Sequence, residues 1–314
     1  MIYDHLNTMK KGVIYLTKLE WCRANAPDAI KDAPDDELLE YMESSWEKFA
    51  PKESLQNESI VSLKEINSNI DSIILTLLRI FGNKSAFNGG YMLKKLIPDC
   101  ARQTQDIDFS AQSSELYQSL INTMIAVGTR FVKAGIISNF KIRQTIVPHY
   151  SGGMDMYNAN GAKILGIDVG WHDITFGTTK TSIDIGEVRA FEVERMLADK
   201  IAATLSRKRF RRFKDIYDIF CITNCFDADL NKIRHYLDIR NSDVAVNWEN
   251  FPFNETIINE LEKAYDKLIL ESIYSDTVLE KPKYSNVLGR FNALCLGVLN
   301  EEKVIWSSED GMCK

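Results

Sequence analysis

Arg102-Gln103-Thr104-Gln105-Asp106-Ile107-Asp108-Phe109 is the most informative octapeptide of this chain. Polar and apolar residues begin to alternate there at the period of a strand, so Asp106 and Asp108 share one face while Ile107 and Phe109 point to the other, toward a core. Two residues of strand set the aspartates about 6.5 Å apart at the backbone. Carboxylates at that spacing can converge on one or two magnesium ions, whose hard charge prefers carboxylate and phosphate oxygens. A solvated strand face also produces Asp-x-Asp, so the surrounding chain has to weigh in.

Upstream, Phe87-Asn88-Gly89-Gly90-Tyr91 joins an apolar segment to a helix expected over Met92 to Leu96. Paired glycines at a helix start allow close backbone approach, and free N–H groups there can cradle a phosphate; an ordinary strand-to-helix turn reads the same way. Downstream, Ile164-Leu165-Gly166-Ile167-Asp168-Val169-Gly170 alternates again, placing Gly166, Asp168 and Gly170 on one face and Leu165, Ile167 and Val169 on the other. A carboxylate flanked by positions without side chains suits a ligand better than a core, which makes Asp168 a candidate third carboxylate.

Working outward, residues 86 to 188 read as a mixed α/β unit: a Gly-Gly turn, a short helix, a strand around Gln105 to Ser110, and a helix over Leu116 to Ala134. Strands follow, with Ile137 to Val147, a glycine-rich turn Ser151 to Gly153, and Lys163 to Gly170 as an antiparallel meander. Before this unit, capping aspartates Asp35 and Asp36 and helical spacing at Ile66, Ile70, Ile73 and Leu77 predict helices over 37–49 and about 66–78, separated by a polar stretch with Pro51. From Glu192 onward the pattern is helical. The expected fold class is α+β, a mixed sheet with a helical N-terminal appendage (1–57), a central α/β domain (58–190) and a helical C-terminal domain (191–314).

Bulk properties fit this picture. With 314 residues, 45% hydrophobic and 26% charged, the composition is that of a globular protein, not a disordered or collagenous one. A net charge of −6 argues against a nucleic-acid coat held by overall positive charge, though not against a local basic patch. Met1 to Leu16 lacks the unbroken apolar core of a signal peptide, and no apolar run reaches bilayer length, so a cytoplasmic location without membrane contact is expected. Six scattered cysteines without CxxC spacing, alongside four histidines, read as reduced thiols. Cys221 and Cys225 are expected to pack in the core of one helix.

The order Gly-Gly, Asp-x-Asp on a strand, then a lone Asp on a later strand resembles the DNA polymerase beta-like nucleotidyltransferase superfamily. Within it the sequence is similar to the AbiEii/AbiGii toxin family of bacterial abortive-infection and toxin–antitoxin systems. That family reads Gly-Gly-Thr-x-Leu, then Arg-x-Thr/Ser-x-Asp-Ile/Leu-Asp-Phe, and later a helical Ala-x-Lys-x6-Arg followed by Lys/Arg-Asp-x-x-Asp. Here Gly89, Gly90 and Leu93 match the first element, and Arg102, Thr104, Asp106, Ile107, Asp108 and Phe109 the second. Ala198, Lys200, Arg207, Lys214, Asp215 and Asp218 match the rest. Tyr91 departs from the pattern, standing where the family has a small hydroxyl residue, so its phenol either turns away from the phosphates or the nucleotide sits differently.

The resemblance implies a nucleotidyltransferase that moves a nucleotide from a nucleoside triphosphate to an acceptor, RNA such as tRNA or else a protein. It would depend on Mg²⁺ or Mn²⁺ held by Asp106, Asp108 and Asp168. Catalytic roles extend to Lys200, Asp215 and Asp218, and nucleotide contacts to Gly89, Gly90, Arg102, Thr104, Lys200 and Arg207. The protein would be a phage-defence toxin restrained by a cognate antitoxin. Asp215 and Asp218 could complete the metal site, position the acceptor, or simply offset neighbouring cations. Residues 207 to 214 hold six cations in eight positions with two interleaved phenylalanines, which suits a nucleic-acid backbone through Arg209, Arg211, Arg212 and Lys214 as well as it suits a solvated face. A housekeeping or small-molecule nucleotidyltransferase and a non-catalytic binding module are the rival classes.

Overall fold

The computed structural model describes residues 32–34, 85–102, 104, 106–111, 114–144, 151–171, 177–184, 186–205, 212–240, 246–270 and 282–314. The helices expected over 37–49 and 66–78 and the N-terminal boundary lie outside them. Elements are numbered in chain order among the described residues.

The octapeptide ends in strand β2 (Asp106–Ala111), the middle of a seven-stranded sheet of order β3-β4-β5-β2-β1-β7-β6. Its neighbours are β1 (Ser85–Asn88), which runs antiparallel to it, and β5 (Lys163–Trp171), which runs parallel. Helix α1 (Gly89–Leu96) follows β1 directly, and α2 (Ser114–Lys133) follows β2 and packs against β2 to β5. Strands β3 (Asn139–Gln144) and β4 (Ser151–Tyr157) complete the expected meander with β5. Alternation works as read: Ile107, Phe109, Leu165, Ile167 and Val169 are buried in the sheet core with Phe87, Met124, Met154 and Met156.

One expectation about the sheet is corrected. Ser151 to Gly153 is not a turn but the start of β4, with Gly153 paired to Arg143 on one side and Asp168 on the other. A Cβ on Gly153 would lie 2.2 Å from the Ile167 carbonyl oxygen, so glycine here serves a close strand approach rather than a bend. The sheet also runs past the meander into a hairpin, β6 (Thr178–Ile183) and β7 (Gly186–Phe191), whose second strand lies parallel to β1.

Beyond the sheet come α3 (Val193–Leu205), α4 (Arg212–Cys225), α5 (Leu230–Arg240), α6 (Glu255–Leu270) and α7 (Tyr284–Leu299). Leu197, Ile201, Ile216, Ile219, Leu230 and Phe291 centre their core, which also takes in Ala86 of β1 and Leu93 of α1. The β1–α1 turn is therefore gripped from both sides. The chain end adds a small sheet, β8 (Ala228–Asp229), β9 (Ile305–Ser307) and β10 (Met312–Cys313), in a region read as helical. Its anchor is Trp306, fully buried, whose indole N–H donates to the Thr223 carbonyl at 2.9 Å. Strands of two or three residues are too short to leave a period in the sequence. Cys221 is buried as expected; Cys225, expected in the core, is exposed. Among the described residues no helix is long and apolar enough to cross a membrane.

Candidate active site

The sheet register sets a row of functional groups side by side. Asn88 on β1 faces Asp108 on β2, Asp108 faces Asp168 on β5, Asp168 faces Gly153 on β4, and Gly153 faces Arg143 on β3. The neighbouring row runs from Asp106 through Gly166 to Asp155. Paired strands lie about 4.8 Å apart, so the carboxylates of Asp108 and Asp168 are immediate neighbours. Thr104 orients the start of β2, its hydroxyl accepting from the Asp106 amide at 3.3 Å.

Glycine makes room for two of these carboxylates. Gly89 takes a φ of +73°, and a Cβ there would lie 1.8 Å from Asp108 Oδ2; a Cβ on Gly166 would lie 2.3 Å from Asp106 Oδ1. Asn88, the residue before α1, makes no side-chain cap to the helix and instead donates to Ser110 Oγ at 2.8 Å, so it braces β1 against β2. The start of α1 thus meets Asp108 directly, without a cap from Asn88. Tyr91 turns away: it is buried in the sheet core with its ring 5.8 Å from that of Phe87.

Electrostatics single out Asp108. Burial pushes its carboxyl up to about 7, Asp168 and Asp106 add like-charge repulsion, and Lys200 and Arg102 only partly offset this. Asp168 and Asp106 have cations of their own. Arg143 Nη1 lies 2.7 Å from Asp168 Oδ1, and Lys163 Nζ 3.0 Å from Asp106 Oδ1. The three strand carboxylates therefore share a face without converging: among the described residues no group of three His, Cys, Asp or Glu side chains is placed to hold a metal ion. Their chemistry still fits a hard divalent cation. All are carboxylate oxygens on adjacent, registered strands, and Asp168 and Asp106 add like charge to an Asp108 carboxyl that burial already raises.

A second cluster joins the helices to this face. Arg102 Nε and Nη2 bond the two oxygens of Asp218 at 3.0 and 3.1 Å, and Lys200 Nζ lies 2.6 Å from Asp218 and 3.1 Å from Asp215. Asp218 is buried; burial alone would raise its carboxyl, but Lys200 and Arg102 outweigh it and hold the group below the ordinary range. Burial likewise opposes charge on Lys200, and Asp218 and Asp215 reverse that, so its ammonium is firmly protonated. Arg102 reaches the glycine turn, since a Cβ on Gly90 would lie 3.1 Å from its Nη2. Of the roles left open for Asp215 and Asp218, the geometry shows cation pairing, with Lys200 and Arg102 as partners.

Arg207, Arg209 and Arg211 lie outside the described residues. Arg212 opens α4, Lys214 is exposed on it, and Phe213 is buried with its ring 5.0 Å from Tyr265. One of the two interleaved phenylalanines thus belongs to the helical core. Sequence reasoning missed Arg143, Lys163 and Asp155. The signal was alternation: Phe140 and Ile142 against Lys141 and Arg143 on β3, and Met154 and Met156 against Gly153 and Asp155 on β4.

No curated protein matches significantly. Among solved structures, MenT4, a nucleotidyltransferase toxin from Mycobacterium tuberculosis, shares 13% identity over 62% of this chain and 71% of its own, with a TM-score of 0.43. JHP933 from Helicobacter pylori shares 11% over 76% and 93%, with a TM-score of 0.42. The Megavirus polyadenylate synthase shares 13% over 86% and 59%, with a TM-score of 0.37. None is near enough for its chemistry to be transferred to this chain. Residues 76–286, by contrast, match the family described as nucleotidyl transferase AbiEii toxin of type IV toxin–antitoxin systems, a span that contains the whole sheet and both ion clusters. The chain belongs to the AbiEii family of nucleotidyltransferase toxins.

Proposed function

We propose that this nucleotidyltransferase is metal-dependent and that its acceptor is an RNA, such as tRNA. The observation that carries the reading is the registered pair Asp108 and Asp168 beside the Gly89 turn, with Asp108 held up to about 7 by burial and by its neighbours. Asp106, Asp108 and Asp168 would hold Mg²⁺ or Mn²⁺, which when bound offsets phosphate charge and polarises a phosphoryl oxygen. The backbone at Gly89 and Gly90 lets a phosphate approach closely, and Arg102 and Lys200 supply fixed positive charge beside it. Their salt links to Asp218 keep both cations from swinging away, so that charge is in place before the nucleotide arrives. Asp168, half-exposed between Asp108 and Gly153 in the row, would alternatively draw the proton from an acceptor hydroxyl. An RNA acceptor is favoured by the basic run 207–214, whose Lys214 is exposed.

The test is transfer of α-labelled nucleoside triphosphate to bulk tRNA. Label should appear on RNA with Mg²⁺ or Mn²⁺ and vanish in chelator. Label on protein or a small molecule, never on RNA, overturns the acceptor assignment; undiminished transfer in chelator overturns the metal assignment.

A further inference from the structure

Arg143 and Lys163 belong to none of the motifs that mark the family, yet each bonds a carboxylate of the site, and the two meet at Asp155. Arg143 presents Nη1 to Asp168 at 2.7 Å and Nε to Asp155 Oδ2 at 2.8 Å. Lys163 places one ammonium 3.0 Å from Asp106 Oδ1 and 3.0 Å from Asp155 Oδ1. Exposure grades outward: the Asp155 side chain is 11% exposed, against 35% for Asp168 and 48% for Asp106. The anchor is inside and the carboxylates it reaches are at the mouth.

We propose that Asp155 is a positioning residue that acts through Arg143 and Lys163 to fix Asp168 and Asp106 and to set the charge a divalent cation meets there. The inference rests on the metal-site reading above. Each cation–carboxylate pair lies over a glycine. A Cβ on Gly153 would sit 3.0 Å from Arg143 Nη2 and 3.1 Å from Asp168 Oδ1, and a Cβ on Gly166 would sit 2.9 Å from Lys163 Nζ and 2.3 Å from Asp106 Oδ1. Both pairs are thus seated by the backbone beneath them. The Lys163–Asp106 contact is a hydrogen bond, whereas the contacts to Asp155 act as charge pairs, since Arg143 Nε and Asp155 Oδ1 make no hydrogen bond; together they draw each strand carboxylate toward its cation while leaving its second oxygen for another partner.

The anchor also governs charge. Were Asp155 neutral, Arg143 would fall wholly on Asp168 and Lys163 wholly on Asp106, and both would be cancelled. With Asp155 sharing the cations, three carboxylates divide two positive charges, and a net negative charge remains beside Asp108. The same three side chains therefore position two carboxylates and keep them attractive to a cation.

Mn²⁺ binding by the full chain without nucleotide, followed by electron paramagnetic resonance or calorimetry, tests this with a readout independent of turnover. Arg143→Gln and Lys163→Gln should tighten Mn²⁺ about tenfold, the size of a unit charge change at this distance in a half-exposed site, while lowering kcat. Asp155→Asn should weaken Mn²⁺ by a similar factor, and the double variant Asp155→Asn/Arg143→Gln, with its charge restored, should bind close to wild type. Arg143→Lys should recover part of the lost kcat. If all variants weaken Mn²⁺ alike, or none shifts it, the clamp is refuted while the metal site stands. If the wild type binds no Mn²⁺, the metal-site reading fails and takes the clamp with it. Should Asp155→Asn not fold alone, the charge-restored double variant decides: Mn²⁺ binding close to wild type supports the clamp, and weakened binding overturns it.

Discussion

At the scale of single residues, the geometry around Asp108 separates fold from chemistry. Gly89→Ala places a Cβ 1.8 Å from Asp108 Oδ2 and forces alanine to a φ of +73°. The backbone penalty is about 1–2 kcal/mol, and the carboxylate must move. We expect a folded protein with a modestly lower Tm and nucleotidyl transfer reduced far beyond what that loss explains. Wild-type transfer rates in Gly89→Ala would show that Asp108 need not stand where it does. Asp108→Asn removes a half-buried charge crowded by Asp168, so its metal-free Tm should be no lower than wild type, while transfer falls by roughly a hundredfold or more. A variant that loses stability and activity together would mark Asp108 as structural.

At the scale of elements, the junction of α3, α4 and the loop before β2 depends on one carboxylate. Asp218 receives Arg102 and Lys200 in a site with almost no water contact, so Asp218→Ala takes the bidentate partner from Arg102 and leaves Lys200 with Asp215, and should cost about 3–5 kcal/mol in urea unfolding. Asp218→Asn should be milder, because its carbonyl still accepts one bond. The pH dependence follows from a carboxyl lowered in the folded state against about 3.9 in the unfolded chain. Such a group contributes stability that is fully present above the unfolded value and is lost as pH falls through the lower folded value. The wild type should therefore hold this contribution at pH 5 and lose it only in acid below the ordinary carboxylate range. Asp218→Asn should lack this one component of the acid dependence, and matching acid profiles for the two proteins would remove Asp218 from the account.

At the scale of the whole molecule, the two cores share β1 and α1, so the glycine turn is held by both the sheet and the helices. Membership of a toxin family makes expression without an antitoxin the natural assay. Growth should slow with the intact chain and recover with Lys200→Ala or Asp108→Asn; equal arrest by folded variants would place toxicity elsewhere. RNA binding should weaken steeply with salt, since each neutralised phosphate releases counterions. Arg209→Glu with Arg211→Glu and Arg212→Glu should flatten that slope and spare triphosphate binding, because Arg102, Lys200 and the strand carboxylates are untouched. An unchanged salt slope would return 207–214 to the role of a solvated surface.

The sequence by itself determined the elements that carry a period. Alternation in Asp106 to Phe109 and Leu165 to Val169 is enforced by a core on one face only, so the aspartates' face, the strands and the meander were legible, and motif spacing gave the family. Short or close-packed pieces were not. Ser151 to Gly153 looks like a turn because glycine serves bends and tight strand approach alike, and β8 to β10 are too brief to repeat. The site divided the same way. Asp106, Asp108 and Asp168 could be proposed from alternation and Lys200 from the family resemblance, but the ion-pair partners these residues take could not. Asp218 lies 116 residues from Arg102, and Lys163 lies 57 from Asp106. Ion pairs across such separations are set by strand register and helix docking, which bring chemically ordinary arginines and lysines to one particular carboxylate. Only the tertiary structure decided that Asp218 pairs with Arg102 and Lys200, and that Arg143 and Lys163 pair with Asp168 and Asp106.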